Sequence, residues 1–121
     1  MKLNDKQCNF IQNSKFAILA TANENQPRAC VVIVEKAYDE YVVFADCQMK
    51  QTNKNLMNNN KCFVSFYDEK LNNCIKCEGI STYKAAGTLF EEEKEKLARE
   101  GLSVKGVILV KVLNIFEGKE E

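Results

Sequence analysis

The segment ADCQMKQTNKNL, residues 45–56, places a cation and a hydroxyl where a strand pattern gives way to a helical one. The apolar run YVVFA stops at Asp46, and Lys50 and Thr52 stand directly before the helical pattern. Thr52 is a preferred N-cap type, and the first-turn N–H groups and the helix dipole favour an anion. Lys50 would add a mobile charge. The pattern fits a phosphate pocket, and it also fits the commoner case of a capping threonine beside a solvated lysine.

A second motif, CIKC at residues 74–77, has the spacing of a zinc or thiol redox pair. Structural zinc usually takes four ligands, and no second pair follows at similar spacing. The motif also falls in a predicted strand, where an offset of three residues places the two sulfurs on opposite faces. We therefore predict no metal site, and we interpret Cys74 and Cys77 as reduced, buried or half-buried thiols.

The composition argues against several other kinds of chemistry. The chain has no histidine, which removes the commonest general base and metal ligand. Its 17 acidic and 17 basic residues leave no net field that would attract nucleic acid or an anionic membrane. Polar residues occupy the start of the chain where a secretory signal would be apolar, so we expect a cytoplasmic protein. No catalytic residue stands out, and any reaction would depend on a cofactor.

Turn signals and apolar runs divide the chain into strands and short helices. The predicted strands cover residues 16–22, 28–36, 41–46, 61–67, 74–83 and 103–116, and the predicted helices cover 6–13, 53–59 and 89–100. Capping boxes are expected at Asn4 with Gln7 and at Thr88 with Glu91, and Gly101 fits a helix end. Strands joined by short turns predict one mainly β (α+β) domain over residues 1–121. Its architecture would be a six-stranded antiparallel barrel with short flanking helices.

Two strands are apolar on both faces, which a half-buried strand is not. The second strand alternates Cys30, Val32 and Val34 with Ala29, Val31 and Ile33. The sixth alternates Val104, Ile108, Val110 and Val112 with Val107, Leu109, Leu113 and Ile115. One face can fill the barrel, and the other needs a second subunit, a flat apolar ligand or the chain's own helices. Because those helices are short, we favour a homodimer.

Several pieces of the sequence, in this order, resemble the pyridoxamine 5'-phosphate oxidase-like split-barrel family, and its short FMN-binding members above all. They are FAILATANENQPRACVV, YVVFADCQMKQTNKNL, CFVSFYD, IKCEG and a glycine-led helix at Gly87. The most specific piece is M-K-x-T-x-x-N-L at residues 49–56. The resemblance implies a six-stranded antiparallel split barrel, a homodimer, and FMN bound at the dimer interface.

The resemblance also implies which residues bind FMN. Those matched to the phosphate are Lys50, Gln51 and Thr52, and those matched to the isoalloxazine are Arg28, Ala29, Cys30, Val31 and Val32 with Phe44, Ala45 and Asp46. The implied function is a small FMN-dependent redox protein: a reductase or oxidase of a small molecule, or an electron carrier.

Two departures from the family pattern keep an alternative open. Gln51 stands where many members have a second basic residue, and Cys30 stands where some have a second arginine. The alternative is a flavin-free split-barrel dimer that serves as a binding module. The chain ends in FEGKEE rather than in the arginine-bearing segment of true pyridoxamine phosphate oxidases, so we do not expect it to oxidise pyridoxamine phosphate itself.

Overall fold

The computed structural model of the chain describes residues 1–46, 55 and 59–118. Its helices are α1 (Asp5–Asn13) and α2 (Thr88–Ala98), and its strands are β1 (Phe16–Asn23), β2 (Gln26–Tyr38), β3 (Tyr41–Asp46), β4 (Lys61–Asp68), β5 (Asn73–Lys84) and β6 (Gly106–Glu117). The predicted helix over residues 53–59 lies mostly outside the described residues. Within it, Asn55 is helical, and its carbonyl oxygen accepts a hydrogen bond from the Asn59 N–H at 2.7 Å.

The six strands form a closed antiparallel barrel in the order β1-β2-β3-β6-β5-β4. Strand β1 closes it, because β1 pairs with β2 along one edge and with β4 along the other. The predicted mainly β, six-stranded barrel is therefore confirmed. Neither α1 nor α2 is long and apolar enough to cross a membrane, and no other described helical segment is.

Local sequence signals account for several element boundaries. The predicted capping box begins α1: Asn4 Oδ1 accepts from the Gln7 N–H at 2.8 Å, and Gln7 Oε1 accepts from the Asn4 N–H at 2.9 Å. A two-residue turn joins β1 to β2, with Glu24 at φ 51° and Asn25 at φ 66°. Positive φ at both central residues is the signature of a type I′ hairpin turn.

The two ends of α2 differ in how well the sequence predicted them. The expected capping box of Thr88 and Glu91 is wrong, because Gly87 is the N-cap residue and no side chain caps the helix. At the other end Gly101 has φ 80°, as expected of a glycine that follows a helix. Its N–H donates to the Ala98 carbonyl at 3.0 Å, and the next N–H donates to the Leu97 carbonyl at 2.9 Å.

Alternate residues of the strands fill the barrel, where Phe44 and Phe66 stack with ring centroids 6.1 Å apart. A second apolar cluster lies outside it, where Phe90 and Leu97 of α2 pack near Val43, Ala45 and Val107. The chain's own helix therefore covers the outer face of β3 and the first part of β6. This is one of the three covers that the sequence left open. The first part of β6 therefore needs no second subunit, and the homodimer stays a prediction.

A β-bulge changes the predicted faces of β6. Glu78 pairs with Asn114 and Gly79 with Val112, so Leu113 is an extra residue without a partner on β5. Strict alternation puts Ile115 on the face of Val107 and Leu109, but the bulge turns it to the core side, where it packs against the barrel cluster. Val104 was grouped with Ile108 on one face, but it precedes the strand and packs in the outer cluster.

Gly79 offers a test of the close strand approach at this bulge. A Cβ atom there would lie 2.5 Å from Val110 Cγ1 and 2.6 Å from the Lys111 carbonyl oxygen. Gly79→Ala should therefore lower the free energy of unfolding by about 1–3 kcal/mol, because the strands must move apart. Urea denaturation measures the change, and Thr82→Ala, at an exposed position of the same strand, is the control. Equal midpoints for the two variants would contradict the close approach.

Candidate functional site

The carboxyl end of β3 is fixed by a buried polar contact. Asp46 is the last residue of the strand and is fully buried. Its Oδ2 accepts a hydrogen bond from the Tyr83 hydroxyl at 2.6 Å, and its carbonyl oxygen accepts from the Lys105 N–H at 2.8 Å. Gly106 pairs with Asp46 and leaves room for the phenol, since a Cβ on Gly106 would lie 2.5 Å from the Tyr83 hydroxyl oxygen.

Sequence reasoning missed both Tyr83 and Gly106. Asp46 and Tyr83 lie on strands that are not neighbours in the barrel, and no local pattern connects them. The only available signal was Gly106 itself, a glycine at the start of an otherwise apolar strand, which often marks a close approach.

The predicted phosphate-binding residues Lys50, Gln51 and Thr52 lie outside the described residues, and their role stays a prediction. The structure does show the residues on either side of them. Asp46 precedes them at the end of β3. Asn55 follows them, is buried, and donates from Nδ2 to Thr21 Oγ1 at 3.1 Å. The residue before this segment, Asp46, is therefore bonded to β5 through Tyr83. The residue after it, Asn55, is bonded to β1 through Thr21.

The residues matched to the isoalloxazine are placed in three different ways. Arg28, Ala29 and Val31 are exposed on β2, and Cys30 is half-buried. Val32 points into the barrel core and is 2% exposed. Ala45 and Asp46 are also buried, so these three residues could offer a ligand only backbone atoms on the outer surface. Their predicted role is not tested by this arrangement.

A surface groove of about 380 Å³ lies beside Asn55. Ala20, Ala22 and Phe63 form an apolar wall, and Thr21, which holds Asn55, lies in the same groove. Small side chains along one wall leave space for a flat ring, and the exposed Lys61 places a cation there. Glu78 also lines the groove and would oppose an anion close to it. These residues fit a ligand that is flat and apolar at one end and anionic at the other, provided that the anion lies away from Glu78.

An open apolar face continues from this groove across β1, β2 and β4. We call it the open face; its most exposed members are Phe16 at 59%, Ile18 at 51%, Val31 at 68% and Tyr67 at 53%. They are neighbours across the ladders, since Ile18 pairs with Val31 and Phe16 with Ile33. Neither described helix covers these residues. A contiguous patch of large apolar side chains marks a surface that another molecule covers.

The CIKC motif lies on β5 with its two thiols on opposite faces, as predicted. Cys77 pairs with Val64 and is buried in the core, whereas Cys74 pairs with the exposed Tyr67. Burial raises the pKa of the Cys62 and Cys77 thiols to about 12, so both stay protonated and unreactive at neutral pH. Among the described residues, no three potential metal ligands gather into a cluster.

Comparison with solved structures identifies the fold. HupZ of Group A Streptococcus aligns with a TM-score of 0.83 and 22% identity, over 98% of this chain and 98% of that one. An FMN-binding protein of Syntrophomonas wolfei aligns with a TM-score of 0.79 and 16% identity, over 93% of this chain and 84% of that one. A Lactobacillus delbrueckii protein provisionally assigned as a pyridoxamine 5'-phosphate oxidase gives 0.76 and 12%, over 95% and 93%.

No family model and no curated protein matches the sequence. The structural alignments alone show that the chain has the fold of the FMN-binding and pyridoxamine 5'-phosphate oxidase-like split-barrel proteins. The resemblance drawn from the sequence is confirmed at this level.

The Tyr83–Asp46 contact can be tested by removing one hydroxyl. Tyr83→Phe should lower the free energy of unfolding by about 1.5–3 kcal/mol, because a buried carboxyl group loses a donor. Tyr38→Phe is the control, since it removes a hydroxyl from a ring that is 39% exposed at the end of β2, outside the open face. That variant should lose less than about 0.5 kcal/mol. If urea denaturation gives the two variants the same loss of unfolding free energy, the buried hydrogen bond contributes no more than an exposed hydroxyl.

Proposed function

We propose that the protein is a small FMN-binding redox protein that holds the flavin at the interface of a homodimer. The observation that carries the proposal is the open face beside the end of β3, in a barrel that solved flavin-binding proteins share. When bound, FMN supplies the hydride or electron transfer, and the chain supplies binding, orientation and exclusion of water. The substrate or redox partner is a small molecule or protein that reaches the flavin from this interface.

In this proposal, Lys50, Gln51, Thr52 and backbone N–H groups after β3 bind the FMN phosphate. The anchors on either side support it: Asp46 is fixed by Tyr83, and Asn55 is fixed by Thr21. These two anchors fix the described residues on either side of the proposed phosphate site, and fixed anchors lower the ordering cost of binding. Lys61 would add positive charge from the neighbouring groove.

The isoalloxazine would lie along β2, against the residues Arg28, Ala29, Cys30, Val31 and Val32 that the sequence resemblance matches to it. Support comes from Ala29 and Val31, which are exposed and pair with Ala20 and Ile18 of β1. Arg28 is exposed as well, whereas the half-buried Cys30 packs against the core side. Val32, Ala45 and Asp46 would contribute backbone groups only. The arrangement leaves one side of the ring to be covered by a second subunit.

The homodimer follows from the open face. The apolar surface of β2 continues onto β1 and β4, and Val31 remains 68% exposed at its centre. A second copy with the same face is a self-complementary partner, as in most two-fold dimers. Val107 no longer supports the dimer, because it is fully buried beneath α2.

The cytoplasm is the compartment we propose. Cys8, Cys62, Cys74 and Cys77 form no disulfides in the structure, which suits a reducing environment.

One observation favours the alternative, a flavin-free dimer that acts as a binding module. Glu78 places a carboxylate in the groove next to the proposed phosphate site, and Gln51 and Cys30 stand where the family pattern that the sequence resembles often has cations. Mass analysis of any cofactor released by denaturation, together with thermal melts with and without added FMN, separates the two functions. A ligand that binds only the folded protein must raise its melting temperature.

The role of Lys50 can be tested with two flavins. Lys50→Ala should weaken FMN binding by on the order of tenfold to a hundredfold, since a charge-assisted hydrogen bond is lost. Riboflavin lacks the phosphate, so its weaker binding should barely change. Titration of the apoprotein with each flavin measures both effects, and Lys70→Ala, in the exposed turn after β4, is the control. Equal weakening of both flavins would place Lys50 away from the phosphate.

The dimer can be tested by placing a charge on the open face. Ile18→Asp should raise the dimer dissociation constant by at least on the order of a hundredfold, because the two-fold axis brings two new carboxylates into one apolar interface. Leu113→Asp, at the exposed bulge of β6, should leave assembly unchanged. Sedimentation at several concentrations measures the outcome. A monomeric unmodified protein at micromolar concentration would contradict the dimer.

A further inference from the structure

Two buried carboxyl groups meet where α2 packs on the sheet. Glu35 projects from a bulge in β2, between Val34 and Lys36, and its side chain is 4% exposed. Glu93 lies on the buried side of α2 with Phe90 and Leu97, and it is also 4% exposed. Glu35 Oε1 and Glu93 Oε2 are buried without a hydrogen-bond partner among the described residues. Unsatisfied buried oxygens are costly, and such a pair needs an explanation.

Charge around the pair does not balance if both groups are ionised. Lys96 Nζ lies 3.8 Å from Glu35 Oε1, but this lysine is 54% exposed and largely hydrated. Glu100, after α2, adds a further negative charge. The surface beneath the helix offers no compensation, because the outer positions of β3 and β6 there are Val43, Ala45 and Val107. Two carboxylates facing one ammonium leave an excess negative charge in an apolar layer, and one proton removes it.

We propose that Glu35 and Glu93 share one proton, and that this proton fastens α2 to the outer face of the barrel. The proton bridges a strand and a helix, so its loss leaves two carboxylates repelling each other across the contact. The α2 contact would then loosen and expose Phe90 and Leu97 together with the outer side of β3. Neither carboxyl group belongs to the proposed cofactor site, so the device can be tested on the protein without flavin.

The direction of the pH dependence follows from the protonation of Glu35. Burial, and then the neighbouring Glu93, raise the pKa of Glu35 from 4.5 to about 7, while Lys96 acts in the opposite direction. A detached or unfolded chain would release this proton near the ordinary value, and the docked state keeps it to higher pH. The stabilisation that the Glu35 proton gives to the docked state is therefore complete below about pH 4.5 and is lost as the pH rises to about 7. Above that pH, Glu35 causes no further change.

Urea denaturation from pH 4.5 to 8 tests the proposal on the full chain at fixed protein concentration. The folding equilibrium constant of the unmodified protein should fall with pH by up to about tenfold per unit across the lower part of this range. Glu35→Gln keeps the shape and the hydrogen-bonding capacity but does not titrate, so it should lack this component. Glu92→Gln removes an exposed carboxylate of the same helix and should keep it. Identical pH profiles for the two variants would overturn the proposal.

A site-specific measurement covers the case in which Glu35→Gln fails to fold. Carbon-13 NMR of the glutamate carboxyl groups in the unmodified protein should show one group titrating near pH 7, and amide exchange at Phe90 and Leu97 should accelerate across the same range after correction for intrinsic rates. Titration of all glutamates below pH 5 would overturn the shared proton. The proposal would also be overturned if added calcium abolished the pH dependence of stability, because the two carboxylates would then bind a cation instead of sharing a proton.

Discussion

Closing an antiparallel sheet into a barrel places one face of every strand inside and leaves the other face outside. In this chain the inner face is filled by alternate apolar residues such as Leu19, Phe44 and Phe66. The outer faces of several strands are apolar as well, and burying them contributes roughly 25 cal/mol for each Å² removed from water. Helix α2 satisfies this demand over β3 and β6. The open face of β1, β2 and β4 has no cover from the described helices, and the proposed dimer follows from that imbalance.

Covering β3 on both faces has a consequence for the site. From Val42 to Asp46 every residue of the strand is buried, so β3 is held by the core on one side and by α2 on the other. The segment that carries Lys50 and Thr52 therefore departs from one of the most constrained points of the barrel. For the proposed cofactor site, this means that the strand end next to the ligand would lose little freedom on binding. The hydroxyl of Tyr83 completes this support from β5.

Features set by neighbouring residues could be predicted from the sequence, and features set by distant partners could not. The capping box of Asn4 and Gln7 and the bounds of β3 follow from local types and alternation. The bulge at Leu113 depends on how β6 meets β5, so strict alternation misplaced Ile115. The contacts between Asp46 and Tyr83 and between Glu35 and Glu93 join elements far apart in the chain. The sequence predicted which residues form the candidate site, at positions 50–52 and along β2. It did not predict the bonds of Asp46 to Tyr83 and of Asn55 to Thr21, which anchor the neighbouring residues.

The pairing of β1 with β4 also bears on how the chain reaches its native state. Strands β1, β2 and β3 are joined by tight turns, as are β4 and β5, so each group can form from contacts that are local in the chain. The groups are united by the ladder of β1 with β4 and by β6, which pairs with both β3 and β5; these ladders join residues far apart in the chain. Closing such loops costs chain entropy before any contact offsets it, and this slows folding. We expect the slow event to be the docking of the three-stranded meander with β6 and the hairpin, and until it happens the unpaired edge of β1 stays available to strands of other molecules.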